Sequence, residues 1–177
     1  MPAYVNLDAL VPREDFAVEA PETVSTEMFG QLGIDRILAG SGSSIVPHLR
    51  KPDFQRETNH WHPAQICTFL QSFVDNDLVP ALILWNSKTH IFVIDGCHRI
   101  SALRAWIEDD YGDGPISIAH FGMHLPVEQV KAAKKTRDLV NEKVKSFKDL
   151  QAVNTAPAKF AVDLAQRAKT TLNCTGR

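Results

Sequence analysis

Apolar residues in this chain fall into short clusters separated by Gly, Pro and acidic breaks, and the spacing inside each cluster predicts an element. After Pro63, the residues Ile66, Phe69, Leu70 and Phe73 recur at intervals of three and four, a core-facing helical stripe over residues 63–74. Asn59 or His62 stands just before it, and Pro63 suits the first helical position. Leu78-Val-Pro-Ala-Leu-Ile-Leu-Trp85 is continuously apolar, which predicts a central, buried strand with Pro80 near its start. Residues 86–89 have the length of a hairpin turn, and residues 90–94 predict the returning strand. Asp95-Gly96 ends that strand and opens a helix from His98 to Trp106 or slightly beyond, with Ile100 and Leu103 turned inward. Residues 116–121 alternate as a half-buried strand does.

The flanks are patterned less strongly. Residues 1–23 read as an arm in which Val5–Leu10 forms one helical turn or a short strand; Pro12, Pro21 and the acids oppose anything longer. Residues 23–38 predict a helix with Met28, Phe29, Leu32, Ile34, Ile37 and Leu38 on one side, weakened by Gly30 and Gly33. Residues 40–44 are a flexible Gly/Ser loop without the Lys-Ser/Thr of a Walker motif. Residues 45–49 are extended, and Arg50-Lys-Pro-Asp-Phe-Gln-Arg-Glu57 is polar and proline-broken. Residues 108–115 read as a solvated acidic loop or lid. From Pro126 the chain becomes rich in Ala and Lys, predicting helices over 126–149 and 155–172. The fold class expected is α+β (α/β), a small mixed sheet with packed helices over residues 1–125 (core 45–121), followed by a helical extension over 126–177. The absence of a strong stop at the end leaves room for a further C-terminal domain.

Composition changes this picture little. The 177 residues are 44% hydrophobic and 23% charged, as in an ordinary globular protein. No run approaches the ~18 apolar residues of a membrane span, so no membrane partner is expected. The N-terminus lacks the pattern of a signal peptide. Cys67, Cys97 and Cys174 are an odd number without paired metal spacing, which favours a reducing cytoplasm over a disulfide framework. The formal net charge of −2 is unevenly placed. Lys131, Lys134, Lys135, Arg137, Lys143, Lys145 and Lys148 face only Asp138 and Glu142 in their stretch, either a solvated helix face or a surface for DNA.

The candidate chemistry concentrates at residues 95–99. Gly96 permits backbone angles that a side chain forbids. The N–H groups of residues 97–99 are unpaired at a helix start and can face an anion. Arg99 can fork onto phosphate or carboxylate oxygens, and His98 can donate to an anion or shuttle a proton. Asp95 repels a bare phosphate, so its work is to hold a nearby Arg or His, to bind a metal carried by the ligand, or to position water. Cys97, at a helix N-terminus beside His and Arg, is expected to have a lowered pKa. Gln55, Arg56 and Glu57 are long polar side chains able to reach the same cleft. The pairs His60/His62 and His120/His124 lack a third zinc ligand at sensible spacing, so no protein-held metal site is assigned. Trp61 either stacks on a base or anchors core.

Asp95-Gly-Cys-His-Arg99, following an apolar strand and preceding an Ala-Leu helix, resembles the boxes of the ParB/sulfiredoxin superfamily. Together with "RKPDFQRE", Trp61 and the "VPALILW" strand, it is similar over roughly residues 45–121 to a subgroup with Asp-Gly-Gln-His-Arg or Asp-Gly-Gln-Gln-Arg boxes, found in bacterial and phage DNA-modification and restriction systems. The resemblance implies a nucleoside triphosphate (ATP, CTP or GTP) with Mg2+, bound through Gly96, Cys97, His98, Arg99, Gln55 and Arg56. It implies NTP hydrolysis or an associated nuclease, with Asp95 organising the site or metal, His98 beside it, and Glu57 anchoring Arg99 or orienting water as a general base. It further implies protein partners in a DNA-modification or phage-defence system, and DNA along the Lys131–Lys148 helix. The departure is Cys97, where the subgroup usually has Gln, Ala or Glu. Gly96-Cys97-His98-Arg99 is identical to the core of the sulfiredoxin box, in which the Cys attacks a phosphorylated sulfinic acid; this implies an alternative, a thiol enzyme using Cys97. The sulfiredoxin pattern has Gly or Ser in place of Asp95 and lacks the Gln-Arg-Glu segment, so those features favour the first subgroup. A non-catalytic DNA-binding regulator is the third reading.

Overall fold

The computed structural model describes residues 4–16 and 34–153. Four strands, β1 (Arg13–Glu14), β2 (Leu49–Pro52), β3 (Ile83–Asn86) and β4 (Ile91–Asp95), form one mixed sheet in the order β1-β2-β4-β3. β2 runs parallel to β1 and β4, and β3 is antiparallel to β4. Around the sheet lie α1 (Ile34–Ile37), α2 (Pro63–Val74), α3 (Cys97–Glu108), α4 (Pro115–Phe121), α5 (Val127–Lys143) and α6 (Phe147–Val153). This is the small mixed sheet with packed helices that the hydrophobic pattern predicts.

The periodic middle folds as its spacing dictates. In α2, Ile66 and Leu70 are fully buried, and His62 and Gln65 cap its start reciprocally, the His62 N–H donating to Gln65 Oε1 at 2.9 Å. The β3–β4 hairpin closes through the Ser87 N–H donating to the His90 carbonyl at 2.8 Å. β4 is central, with Ile91, Phe92 and Val93 buried. α3 is longer than predicted and buried nearly all round, from Ile100 through Ile107.

β3, by contrast, is an edge strand and not a central one. Leu82 and Leu84 pack on the core, but Leu78 and Ile83 are 74% and 56% exposed. Of the apolar run only its end is strand: β3 covers Ile83–Asn86, alternating exposed and half-buried positions, and Leu78 lies outside it. The piece predicted as extended, 45–49, is a 3-10 turn over Val46–His48 that feeds β2, so the strand begins at Leu49 and takes in Arg50, Lys51 and Pro52.

The N-terminal segment is built into the core rather than lying against it as an arm. Val5, Leu7, Leu10 and Val11 are buried; Val5 bridges Trp61, and the Leu7 N–H donates to the Thr58 carbonyl at 3.0 Å. Prolines and acids limit its elements to a 3-10 turn and the two-residue β1, but they do not prevent burial, because Asp8 is neutralised by Lys51.

Two further expectations are corrected between α3 and α5. Residues 116–121 are helical: Gly114-Pro115 start α4, and the Asp110 carboxylate caps it, accepting from the N–H groups of Gly112, Gly114 and Ser117 at 3.0, 3.0 and 2.9 Å and from Ser117 Oγ at 2.6 Å. The alternation of Ile116 and Ile118 is incidental, since Ile118 is exposed. The acidic loop is therefore no solvated lid. Asp110 and Tyr111 are buried, and Asp109 and Asp113 clasp Arg137 of α5 at 2.8 and 2.6 Å. The single helix expected over 126–149 is broken after Lys143, because Lys145 adopts a φ of 78° and its carbonyl accepts from Trp106 Nε1 at 3.0 Å. That turn lets Phe147 meet Trp106 edge-on at 5.2 Å. α5 buries Ala132, Ala133, Thr136 and Val140, and Cys67 of α2 donates to the Leu139 carbonyl at 3.7 Å, so α5 shares the core of the sheet domain. The helix expected over 23–38 is described only from Ile34, and that over 155–172 lies outside the described residues.

Candidate functional site

The site is built where β4 hands over to α3. The strand ends at Asp95, and Gly96 turns the chain in the left-handed region with a φ of 94°. A Cβ at Gly96 would sit 2.9 Å from Arg99 Nη2 and would also meet Leu82, so both conformation and space call for glycine. The first helical hydrogen bond runs from Ile100 N to the Gly96 carbonyl at 3.0 Å, and among the described residues no side chain caps the N–H groups before it.

The facing wall is the turn after β2. Gln55 Nε2 donates to the Val93 and Ile94 carbonyls at 2.7 and 2.6 Å and ties that turn across the end of β4. Arg13 Nη1 donates to the Gln55 carbonyl at 2.7 Å, and Asp8 accepts from the Thr58 N–H at 3.0 Å. Between the walls lies a cleft of about 540 Å³, within the range of small-molecule sites. Its lining includes Gln55, Arg56 and the whole run Ile94–Arg99, together with Phe54, His60 and Trp61.

The structure thus brings Gln55, Arg56, Asp95, Gly96, Cys97, His98 and Arg99 to one cleft. Glu57 is not among its lining residues; it is exposed, and its carboxylate accepts from Asn59 Nδ2 at 2.5 Å. Arg99 is anchored instead by Asp95, Nη2 to Oδ2 at 2.7 Å, and by the Ala81 carbonyl at 2.8 Å. Arg56 is exposed and has no ion pair or hydrogen bond among the described residues. His98 stacks on Trp61 with ring centroids 5.5 Å apart, and its Nε2 is shielded from solvent without a hydrogen-bond partner among the described residues. Burial first, then repulsion from His60, Lys51, Arg56 and Arg99, lowers the His98 pKa and favours the neutral ring.

Cys97 does not behave as its position suggests. A helix N-terminus and two basic neighbours should lower a thiol pKa, but Cys97 is 6% exposed, and burial pushes it up to about 11. Desolvation outweighs the favourable charges, so the thiol form is favoured over the thiolate.

Reading the sequence did not assign Phe54 or His60 to the site, although Phe54 sits within the quoted segment and His60 beside it. Nor did it reveal the pair beneath the cleft. Lys51 is fully buried and donates to Asp8, forty-three positions away. Burial alone would raise the Asp8 pKa, but the hydrogen bonds from Lys51 and Thr58 carry it below its ordinary value. No local pattern signals so distant a pairing. Among the described residues no group of three or more His, Cys, Asp or Glu converges as a metal cage. Among the described residues Asp95 is the one cleft-lining carboxylate, and the remaining polar groups there are mainly donors, a set suited to an anion.

A family model described as GmrSD restriction endonuclease, N-terminal domain, matches residues 34–173. The chain belongs to this family. No curated protein and no solved structure matches it. The GmrSD N-terminal span contains every residue that lines the cleft, whereas Asp8 and Arg13, which brace its wall, precede the matched region. Among the described residues no helix is long and apolar enough to cross a membrane.

Proposed function

We propose that the cleft binds the phosphates of a nucleoside triphosphate, and that this domain serves a restriction-type, DNA-processing or phage-defence reaction through that binding. The observation that carries the reading is Arg56, without a partner among the described residues, lining the same cleft as the start of α3, which no described side chain caps. An exposed guanidinium and outward N–H groups form an anion site from both walls. The family described as restriction endonuclease N-terminal domains supports the DNA-processing setting.

Within that reading each residue has a distinct role. Gly96 lets the backbone approach the phosphates, and Arg56 and Arg99 neutralise their charge. Gln55 holds the two walls together through β4 and does not itself point a free amide donor at the ligand. Asp95, with its side chain 60% exposed at the mouth, suits a Mg2+ carried in by the phosphates, since such ions typically take one or two carboxylates and keep several waters. If the nucleotide is hydrolysed, neutral His98 is better placed than Glu57 to take a proton from water, because His98 lines the cleft and Glu57 is held by Asn59. The buried Cys97 thiol argues against the sulfiredoxin-like alternative. DNA contact through α5 would fall to Lys134, Lys135 and Lys143, since Arg137 is committed to Asp109 and Asp113 and Lys131 pairs with Glu128.

The test is a thermal-shift screen of ATP, CTP and GTP with Mg2+ on wild type, Arg56→Ala and Arg99→Ala. At least one nucleotide should raise the Tm, and both substitutions should abolish the shift. If no nucleotide stabilises wild type, the phosphate site does not exist.

A further inference from the structure

The cleft has two chemically different sides. On one, Arg99 is drawn toward the β3 side by Asp95 and the Ala81 carbonyl. On the other, His98 is packed against the loop that carries His60 and Trp61, with centroid distances of 6.1 and 5.5 Å. Aromatic rings gather in this lining: Phe54, His60, Trp61 and His98. A bare polyphosphate gains almost nothing from ring faces.

Phe54 is the most telling of these. It is 65% exposed, yet it is not left to swing freely. Phe16 meets it edge-on at 5.4 Å, and Phe16 in turn meets the buried Phe92 edge-on at 5.1 Å. The ring is thus braced from the core while much of its surface stays in water, the arrangement of a stacking platform with one side open.

Resting on the nucleotide reading above, we infer that the aromatic lining of the cleft holds a nucleobase subsite, with Phe54 as the stacking surface. Stacking on aromatic side chains is a general way of holding a base. The same ring chemistry can be offered by a free nucleotide or by an unpaired base in a strand. A cleft of about 540 Å³ that also carries the phosphate groups' partners fits a single free nucleotide.

The test is calorimetric titration of the full chain with inorganic tripolyphosphate, with ATP, CTP and GTP, and with a short single-stranded oligonucleotide. Wild type, Phe54→Ala and Phe54→Trp are compared, each with its fold checked by circular dichroism. The preferred nucleotide should bind wild type at least tenfold more tightly than tripolyphosphate. Phe54→Ala should bring that ratio close to one, and Phe54→Trp should preserve it. Equal binding of nucleotide and tripolyphosphate by wild type, or an unchanged ratio in Phe54→Ala, overturns the base subsite while leaving the phosphate site standing. Phe54-dependent binding of the oligonucleotide in preference to all mononucleotides overturns the free-nucleotide assignment. Failure of every phosphate compound to bind overturns the nucleotide reading itself, and the subsite with it.

Discussion

Arg99 and Asp95 close an ion pair across the first turn of α3, Nη2 to Oδ2 at 2.7 Å, while the same nitrogen also donates to the Ala81 carbonyl at 2.8 Å. The cation that should meet a phosphate is therefore already engaged, and an exposed carboxylate stands beside the place where the phosphate would go. Asp95→Ala should release Arg99 and remove a like charge. The expected outcome is severalfold tighter binding of inorganic phosphate or tripolyphosphate without Mg2+, together with loss of any Mg2+ stimulation of nucleotide binding. Titrations with and without the metal check both. Weaker binding of the bare anion in Asp95→Ala would mean instead that the carboxylate serves to position Arg99.

Gly96 should not tolerate a side chain. Its φ of 94° is costly for an L-residue, and an added Cβ would lie 2.9 Å from Arg99 Nη2. Gly96→Ala should cost at least ~1–2 kcal/mol and lower the Tm by several degrees. Thermal unfolding measures this, and an unchanged Tm would show that the turn can relax.

Local periodicity made α2, the β3–β4 hairpin and the Asp95–Arg99 turn legible, because each is specified by residues within a dozen positions of one another. The same reasoning failed where distant residues decide. Nothing near Asp8 says that Lys51 will neutralise it and draw the N-terminal segment into the core. Ile116–Phe121 alternates like a strand, yet Asp110, acting from outside that stretch, caps it as a helix. Cys97 was misread for a related reason: its charged neighbours are visible in sequence, whereas the burial that dominates its thiol is not. For the site, the box and the Gln55-Arg56 segment were readable as one cleft, but the exposure of Phe54 and the diversion of Glu57 to Asn59 depend on side-chain packing.

The thiol gives a direct chemical test. With a pKa of about 11, Cys97 is thiolate in only about one molecule in a thousand at pH 8, and its burial blocks reagents as well. Iodoacetamide at pH 8 should leave Cys97 unlabelled in the folded protein and label it once the chain is denatured, as read by peptide mass mapping. Rapid labelling in the folded state would restore the thiol-enzyme alternative.

Asp110 should be among the costliest acids to remove. It is fully buried and accepts from three backbone N–H groups and the Ser117 hydroxyl. Burial alone would raise its pKa, but those hydrogen bonds prevail and hold it below 3.8. Asp110→Ala loses the cap and strands buried donors, for an expected cost of roughly 2–3 kcal/mol in urea unfolding. Because the folded pKa is the lower one, the carboxylate's contribution is present above the unfolded value and is lost as pH falls through the folded one.

His98 predicts a pH dependence of the opposite origin. Burial, reinforced by His60, Lys51, Arg56 and Arg99, lowers its pKa from 6.5, so the fold resists its protonation while the unfolded chain does not. The unfolded state then binds more protons as pH drops below 6.5, and stability should fall over that window until the native ring also protonates. His98→Gln should flatten the slope of unfolding free energy against pH between about 6.5 and 5 relative to wild type. An anion held against the ring should work the other way, favouring the imidazolium. Ligand binding near pH 6 should therefore take up a proton, detectable as a dependence of the calorimetric enthalpy on the buffer's ionisation heat. That dependence should disappear in His98→Gln. If it persists there, the proton is taken up elsewhere and His98 does not touch the ligand.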